Sequence, residues 1–130
     1  MSNYEYVGCF FNYEELFNKV KGIRLKPLEF EKTKPHVTFE YAPKTVNTTL
    51  FGEKISVIID GYENNGENEG VRVTLSSQNK HINDMIKTID RPHITLAVSK
   101  NGKAVNTKYL VFHNIKPIYI DGYYGGHIDK

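Results

Sequence analysis

Two stretches of the chain carry apolar residues at helical spacing. Tyr13, Leu16, Phe17 and Val20 fall at i, i+3, i+4 and i+7, and Ile82, Met85, Ile86 and Ile89 repeat the pattern. Each set forms one apolar stripe, which predicts two amphipathic helices lying on a sheet. Asn12 followed by Glu15 has the spacing of a capping box, and Gly22 closes the first helix. Ser77 is the candidate cap of the second helix and Pro92 its stop. Elsewhere the period is two. Val71, Val73 and Leu75 alternate with Arg72, Thr74 and Ser76, which predicts a half-buried strand. Further strands are predicted over 4–11, 35–41, 54–62, 92–98 and 116–124. The polar, Gly-punctuated stretch 63–70 is read as a hairpin connection. Short strands, two helices and few long crossovers predict an α+β domain of largely antiparallel sheets.

Composition narrows the classes. The chain has 130 residues, which suits one domain (1–130), with 39% hydrophobic and 25% charged residues. A net charge of +2 is too small for a basic nucleic-acid coat. The single Cys9 excludes an internal disulfide framework and a Cys-rich zinc site, and it reads as a small buried residue. No apolar run approaches the ~18 residues of a membrane helix, and the opening residues do not read as a secretory signal. A cytoplasmic monomer with no membrane association and no obligate protein partner is expected.

The segment Lys34-Pro35-His36-Val37-Thr38-Phe39 recurs as Arg91-Pro92-His93-Ile94-Thr95-Leu96, and Asp60-Gly61-Tyr62 recurs as Asp121-Gly122-Tyr123. Each His-containing strand is preceded by one amphipathic helix. The duplication predicts two similar lobes about a pseudo-twofold axis. Residues i and i+2 of a strand share a face. His36 and Thr38 therefore project together, with Glu40 beyond them, while Val37, Phe39 and Tyr41 are expected in the core. His93 and Thr95 project together over Ile94, Leu96 and Val98.

Two imidazoles and two hydroxyls converging on one cleft suit phosphodiester chemistry. A ring titrating near ~6.5 can be neutral in one copy and protonated in the other, so one takes a proton and the other delivers one. Thr38 and Thr95 can donate hydrogen bonds to the non-bridging oxygens, where charge gathers in the transition state. No metal or other cofactor is required by this scheme. For a single His-x-Thr, a strand-end His beside an ordinary β-forming Thr would be the better reading; the duplication favours the catalytic one.

The paired Pro-His-Val-Thr-Phe and Pro-His-Ile-Thr-Leu resemble the two His-x-Thr/Ser-x motifs of the two-histidine phosphoesterase superfamily. That group includes RNA 2′,3′-cyclic phosphodiesterases and 2′-5′ RNA ligase-like proteins. The run His93-Ile94-Thr95-Leu96-Ala97, continuing to Gly102-Lys103-Ala104-Val105 and Leu110, is similar to the second motif region of the cyclic phosphodiesterase domain of plant and fungal tRNA ligases. The resemblance covers residues 4–124. It implies a bilobal fold of antiparallel sheets with helices packed outside and a concave central cleft, His36 and His93 as the acid–base pair, and Thr38 and Thr95 as phosphate-holding residues. It further implies hydrolysis of an RNA-end or small-nucleotide phosphodiester, either a 2′,3′-cyclic phosphate or a 2′-5′ linkage. The chain is short for that group, which leaves substrate choice open. Cleavage of cyclic oligonucleotide signals and a non-catalytic RNA- or nucleotide-binding role are the alternatives.

Other residues are weaker candidates. Tyr6 and Phe10 share one parity of the first strand and are expected at the cleft, Tyr6 as a base-stacking ring, while Val7, Cys9 and Phe11 face the core. Tyr124, beside Tyr123, is a second stacking or rim candidate. Lys100 and Lys103 lie in the loop after the second His strand and could attract a phosphate at the rim. Arg72 could bind phosphate as a bidentate fork. His81, His113 and His127 lack a Thr partner, and the five His match no tight metal motif.

Overall fold

A computed structural model describes residues 2–128. In chain order the elements are β1 (Tyr6–Phe10), α1 (Tyr13–Val20), β2 (Phe30–Glu31), β3 (His36–Tyr41), β4 (Lys54–Asn64), β5 (Asn68–Ser76), α2 (Lys80–Ile86), β6 (His93–Val98) and β7 (His113–His127). Short 3₁₀ turns occupy Lys21–Ile23, Thr48–Leu50 and Ala104–Tyr109. The fold is α+β, and all strand pairs are antiparallel. The strands join in one seven-stranded sheet ordered β2-β6-β5-β4-β7-β1-β3, where several sheets were expected. Its unity comes from the length of β4 and β7, which pair along the middle and tie the two halves together.

The periodicities translate into burial as expected. Leu16 and Val20 of α1 and Ile82 of α2 are buried, and β4 turns Ile55, Val57 and Ile59 inward. On β5, Val71, Val73 and Leu75 are buried while Thr74 and Ser76 are exposed. Val7, Cys9 and Phe11 lie in the same core. The Asn12 carboxamide accepts from the Glu15 N–H, which caps α1 as its spacing predicts. The cap of α2 is Asn79 rather than Ser77. Asn79 Oδ1 accepts from the Ile82 N–H, and the Ser77 hydroxyl accepts from the Asn79 N–H one turn earlier. The chain leaves α2 at Ile86, well before Pro92, so Ile89 packs from a loop.

The hairpin predicted at 63–70 is tighter than its polarity suggested. Strand pairing continues to Asn64 and resumes at Asn68, leaving Asn65-Gly66-Glu67 as the turn, with Gly66 at φ +89°. Asn68 and Glu69 are buried because each finds a polar partner. Both oxygens of Glu69 accept from Arg24, at 2.7 and 2.9 Å, and the carboxylate also accepts from the Leu28 N–H and the Tyr62 hydroxyl. This pairing anchors the loop after α1 to β5. Burial alone would raise the Glu69 pKa, but the Arg24, Leu28 and Tyr62 donors outweigh it and hold the group below its ordinary value. No helix among the described residues is long and apolar enough to cross a membrane.

Candidate active site

The two His strands sit toward opposite ends of the sheet order, β3 at one edge and β6 beside the other, yet they approach each other in space. Between them lies a pocket of about 270 Å³ lined by His36, Thr38, His93 and Thr95, with Tyr6, Tyr41, Lys32, Lys34 and Ala104 completing the wall. All four polar residues of the duplicated motif therefore meet in one cavity.

The two imidazoles are held in the same way. His36 Nδ1 lies 2.9 Å from the Lys34 carbonyl oxygen, and His93 Nδ1 lies 2.9 Å from the Arg91 carbonyl oxygen. A carbonyl only accepts, so each Nδ1 carries the hydrogen and each neutral ring keeps Nε2 as its free basic nitrogen. Arg91 adopts φ +53°, a left-handed backbone unusual for a residue with a side chain. That conformation sets the carbonyl holding His93, and strain of this kind gathers at functional sites.

Both rings titrate below their ordinary value. For His36 the main cause is burial, opposed by the Lys34 carbonyl and reinforced by the positive charges of His127, His93 and Lys32. For His93 it is again burial, opposed by the Arg91 carbonyl, with Lys108 as the one reinforcing cation.

The two threonines differ. No hydrogen bond among the described residues engages the Thr38 hydroxyl. Thr95 Oγ1 lies 2.8 Å from Thr107 Oγ1 and 3.3 Å from the Ala104 carbonyl oxygen. Thr107 is fully buried and accepts from Asn68 Nδ2 at 2.9 Å, while the same amide donates to the Lys103 carbonyl. Thr95 donates to the Thr107 hydroxyl, and the Ala104 carbonyl is its second acceptor. A ligand oxygen in the pocket would offer the Thr95 hydroxyl an alternative acceptor.

The remaining candidates separate. Tyr6 lines the pocket but is only 8% exposed. It stacks on His36, with centroids 4.4 Å apart, and on His127 at 5.0 Å, so it supports the His36 ring and leaves little face for a base. Phe10 lies against His36, as its parity predicted. Tyr124 is not a stacking or rim residue. It is buried between Phe39 and Phe51, because the alternation of β7 turns it inward and Tyr123 outward. Lys103 is exposed and does not line the pocket; its neighbour Ala104 does. Arg72 is not a free phosphate fork. Its guanidinium is engaged by the Asp60 carboxylate, the Asp60 carbonyl and Asn114.

Tyr41 reverses its expected orientation. β3 carries a bulge, with Gly8 opposite Thr38 and Val7 opposite Glu40, so that Phe39 has no partner. One extra residue shifts the parity. Tyr41, expected in the core, is 61% exposed and lines the pocket with His36 and Thr38. Sequence reasoning also missed Lys32, Thr107 and Asn68. The basic residue before each motif was visible in the repeat, but nothing along the chain pointed to Thr107. Other pockets are larger, including one of about 550 Å³ beside Arg72 and Leu110, but none of them brings the two imidazoles together. Among the described residues no group of three His, Cys, Asp or Glu side chains could hold a metal ion. No family model, curated protein or solved structure matches this chain.

Proposed function

We propose that this protein is a phosphodiesterase of the two-histidine kind, hydrolysing an RNA-end or small-nucleotide phosphodiester, either a 2′,3′-cyclic phosphate or a 2′-5′ linkage. The observation that carries this reading is the meeting of two identically tethered imidazoles and two hydroxyls in one pocket.

A bilobal, pseudo-twofold architecture around that pocket is supported by the strand order. Exchanging β1 with β5, β3 with β6 and β4 with β7 maps β6-β5-β4-β7-β1-β3 onto its own reverse, with β2 added outside. The register agrees. Gly8 lies opposite Thr38 and Gly70 opposite Thr95, each followed by a single bulge. A side chain at Gly8 would strike the Val37 carbonyl, and one at Gly70 would crowd the Ile94 carbonyl and the Thr107 methyl. Glycine at both places lets the His strand close on its neighbour.

In the proposed reaction, neutral His36 accepts a proton from water through Nε2 as the water oxygen bonds to phosphorus. The bond from phosphorus to the leaving ribose oxygen breaks, and Nε2–H of protonated His93 delivers its proton to that oxygen. Thr38 and Thr95 donate to the non-bridging oxygens. His36 is assigned as the base because burial and Lys32 in the pocket wall oppose its protonation.

The test is hydrolysis of a panel of nucleoside 2′,3′-cyclic phosphates and 2′-5′-linked dinucleotides. His36→Ala and His93→Ala should each lose at least about a thousandfold in turnover, and the double variant should lose little more, because the rings act as a unit. Full turnover in both single variants would refute the reading.

A further inference from the structure

The catalytic pocket does not end at the four motif residues. It shares Thr38, Tyr41 and His93 with an adjoining pocket of about 410 Å³, which lies between β3 and the segment entering β6. That volume falls within the ~300–1,000 Å³ of small-molecule sites. The two halves of this groove differ in charge. The half holding His36 has Lys32 and Lys34 in its wall and no carboxylate. The half beyond His93 has Glu40 and Asp90, with Lys108 as its only cation. Its apolar lining includes Tyr41 and Val105, 61% and 57% exposed. His93 borders both halves, whereas His36 borders only the first.

Resting on the phosphodiesterase reading, we infer that the 410 Å³ half is a leaving-nucleoside subsite that takes a base and ribose without a terminal phosphate. The acid must touch the leaving oxygen, and His93 is the imidazole that borders this half. An exposed aromatic ring at the junction offers a face on which a base can stack whatever its identity. Glu40 and Asp90 can accept from base amino groups and ribose hydroxyls, and they repel a second phosphate. Lys32 and Lys34 give the opposite preference at the other end. The substrate class is therefore a diester joining two separate nucleosides, unphosphorylated on the leaving one. A single-nucleoside cyclic phosphate would leave this subsite empty, because its leaving oxygen belongs to the ribose that retains the phosphate.

The experiment uses the full chain and four probes: a 2′-5′-linked diadenosine monophosphate with free hydroxyl ends, the same compound with a phosphate on either end, and adenosine 2′,3′-cyclic phosphate. Product analysis identifies which nucleoside leaves. The free-hydroxyl dinucleotide should have the higher kcat/KM, and a phosphate on the leaving nucleoside should lower it about tenfold or more. Glu40→Gln combined with Asp90→Asn should largely remove that penalty. Tyr41→Ala should raise KM for the dinucleotide about tenfold, and by several-fold more than it raises KM for the cyclic phosphate. All three residues are exposed, so the variants should fold. Equal rates whichever end carries the phosphate, or a Tyr41→Ala variant equally altered on both substrate types, overturns the subsite while leaving the phosphodiesterase in place. Hydrolysis of no probe at all overturns the phosphodiesterase reading itself, and the subsite with it.

Discussion

Thr107→Val removes one hydroxyl from the site while nearly conserving volume and shape. The hydroxyl lies 2.9 Å from Asn68 Nδ2 and 2.8 Å from Thr95 Oγ1, and it is fully buried. The valine variant therefore leaves one hydrogen of the Asn68 amide without a partner in a place that water does not reach. Such an orphaned donor costs about 1–3 kcal/mol. At a urea m-value of about 2 kcal/mol per molar, the midpoint should fall by roughly 0.5–1.5 M. Thr107→Ser makes the opposite change. It keeps the hydroxyl and removes the methyl group packed at Gly70, which should cost about 1 kcal/mol. The two variants are thus comparably destabilised and separate on turnover. Loss of the Thr95 partner should lower kcat about tenfold in the valine variant, since small misplacements of a reacting group are expensive. The serine variant should stay within about twofold of the parent. The chain has no Trp, so unfolding is followed by far-UV circular dichroism or tyrosine emission, and kcat is measured on the best diester from the panel. A valine variant as stable and active as the parent, or equal loss of kcat in both variants, would refute the hydroxyl chain.

Two further outcomes follow from burial and charge. Because both imidazoles titrate below ~6.5, the bell-shaped kcat/KM profile should peak on the acid side of that value. Lys32→Gln or His127→Gln should move its acid limb to higher pH by relieving His36. A peak well above pH 7, or an immobile limb, contradicts the assignment. The same depressed rings let the unfolded chain bind more protons than the folded one, so their contribution to stability is lost as pH falls below about 6.5, which urea titrations across pH would show. Arg24→Met should destabilise by about 3–5 kcal/mol, because it strands the Glu69 carboxylate in the interior, and adding Glu69→Leu should recover much of that loss. The Glu69 contribution should be present above pH ~4.3 and decline as pH drops through its lowered folded value. A single variant as stable as the parent in a thermal melt would contradict the buried pair.

Much of this protein was legible in one dimension because its determinants are local and periodic. The stripes at Leu16 and Ile82, the alternation at Val71, Val73 and Leu75, and the Asn12 cap depend on neighbours within a few residues. The duplicated His-x-Thr was likewise visible as a pattern, and strand parity put each His beside its Thr. Only the tertiary structure decided the rest. A bulge at Phe39 turned Tyr41 out of the core and onto the pocket, because one unpaired residue inverts every position after it. Tyr124 went inward because β7 found its register against β1 and β4, and a run of two tyrosines does not reveal which one faces the core. Thr107 and Asn68 became neighbours of Thr95 through chain crossings that join residues distant in sequence, and Glu69 on β5 became buried because Arg24 reached it from the loop after α1. Periodicity determined which side chains turn together. Which of them meet was decided by long-range packing, since a hydrogen bond or a stacked ring depends on proximity in space that no local pattern encodes.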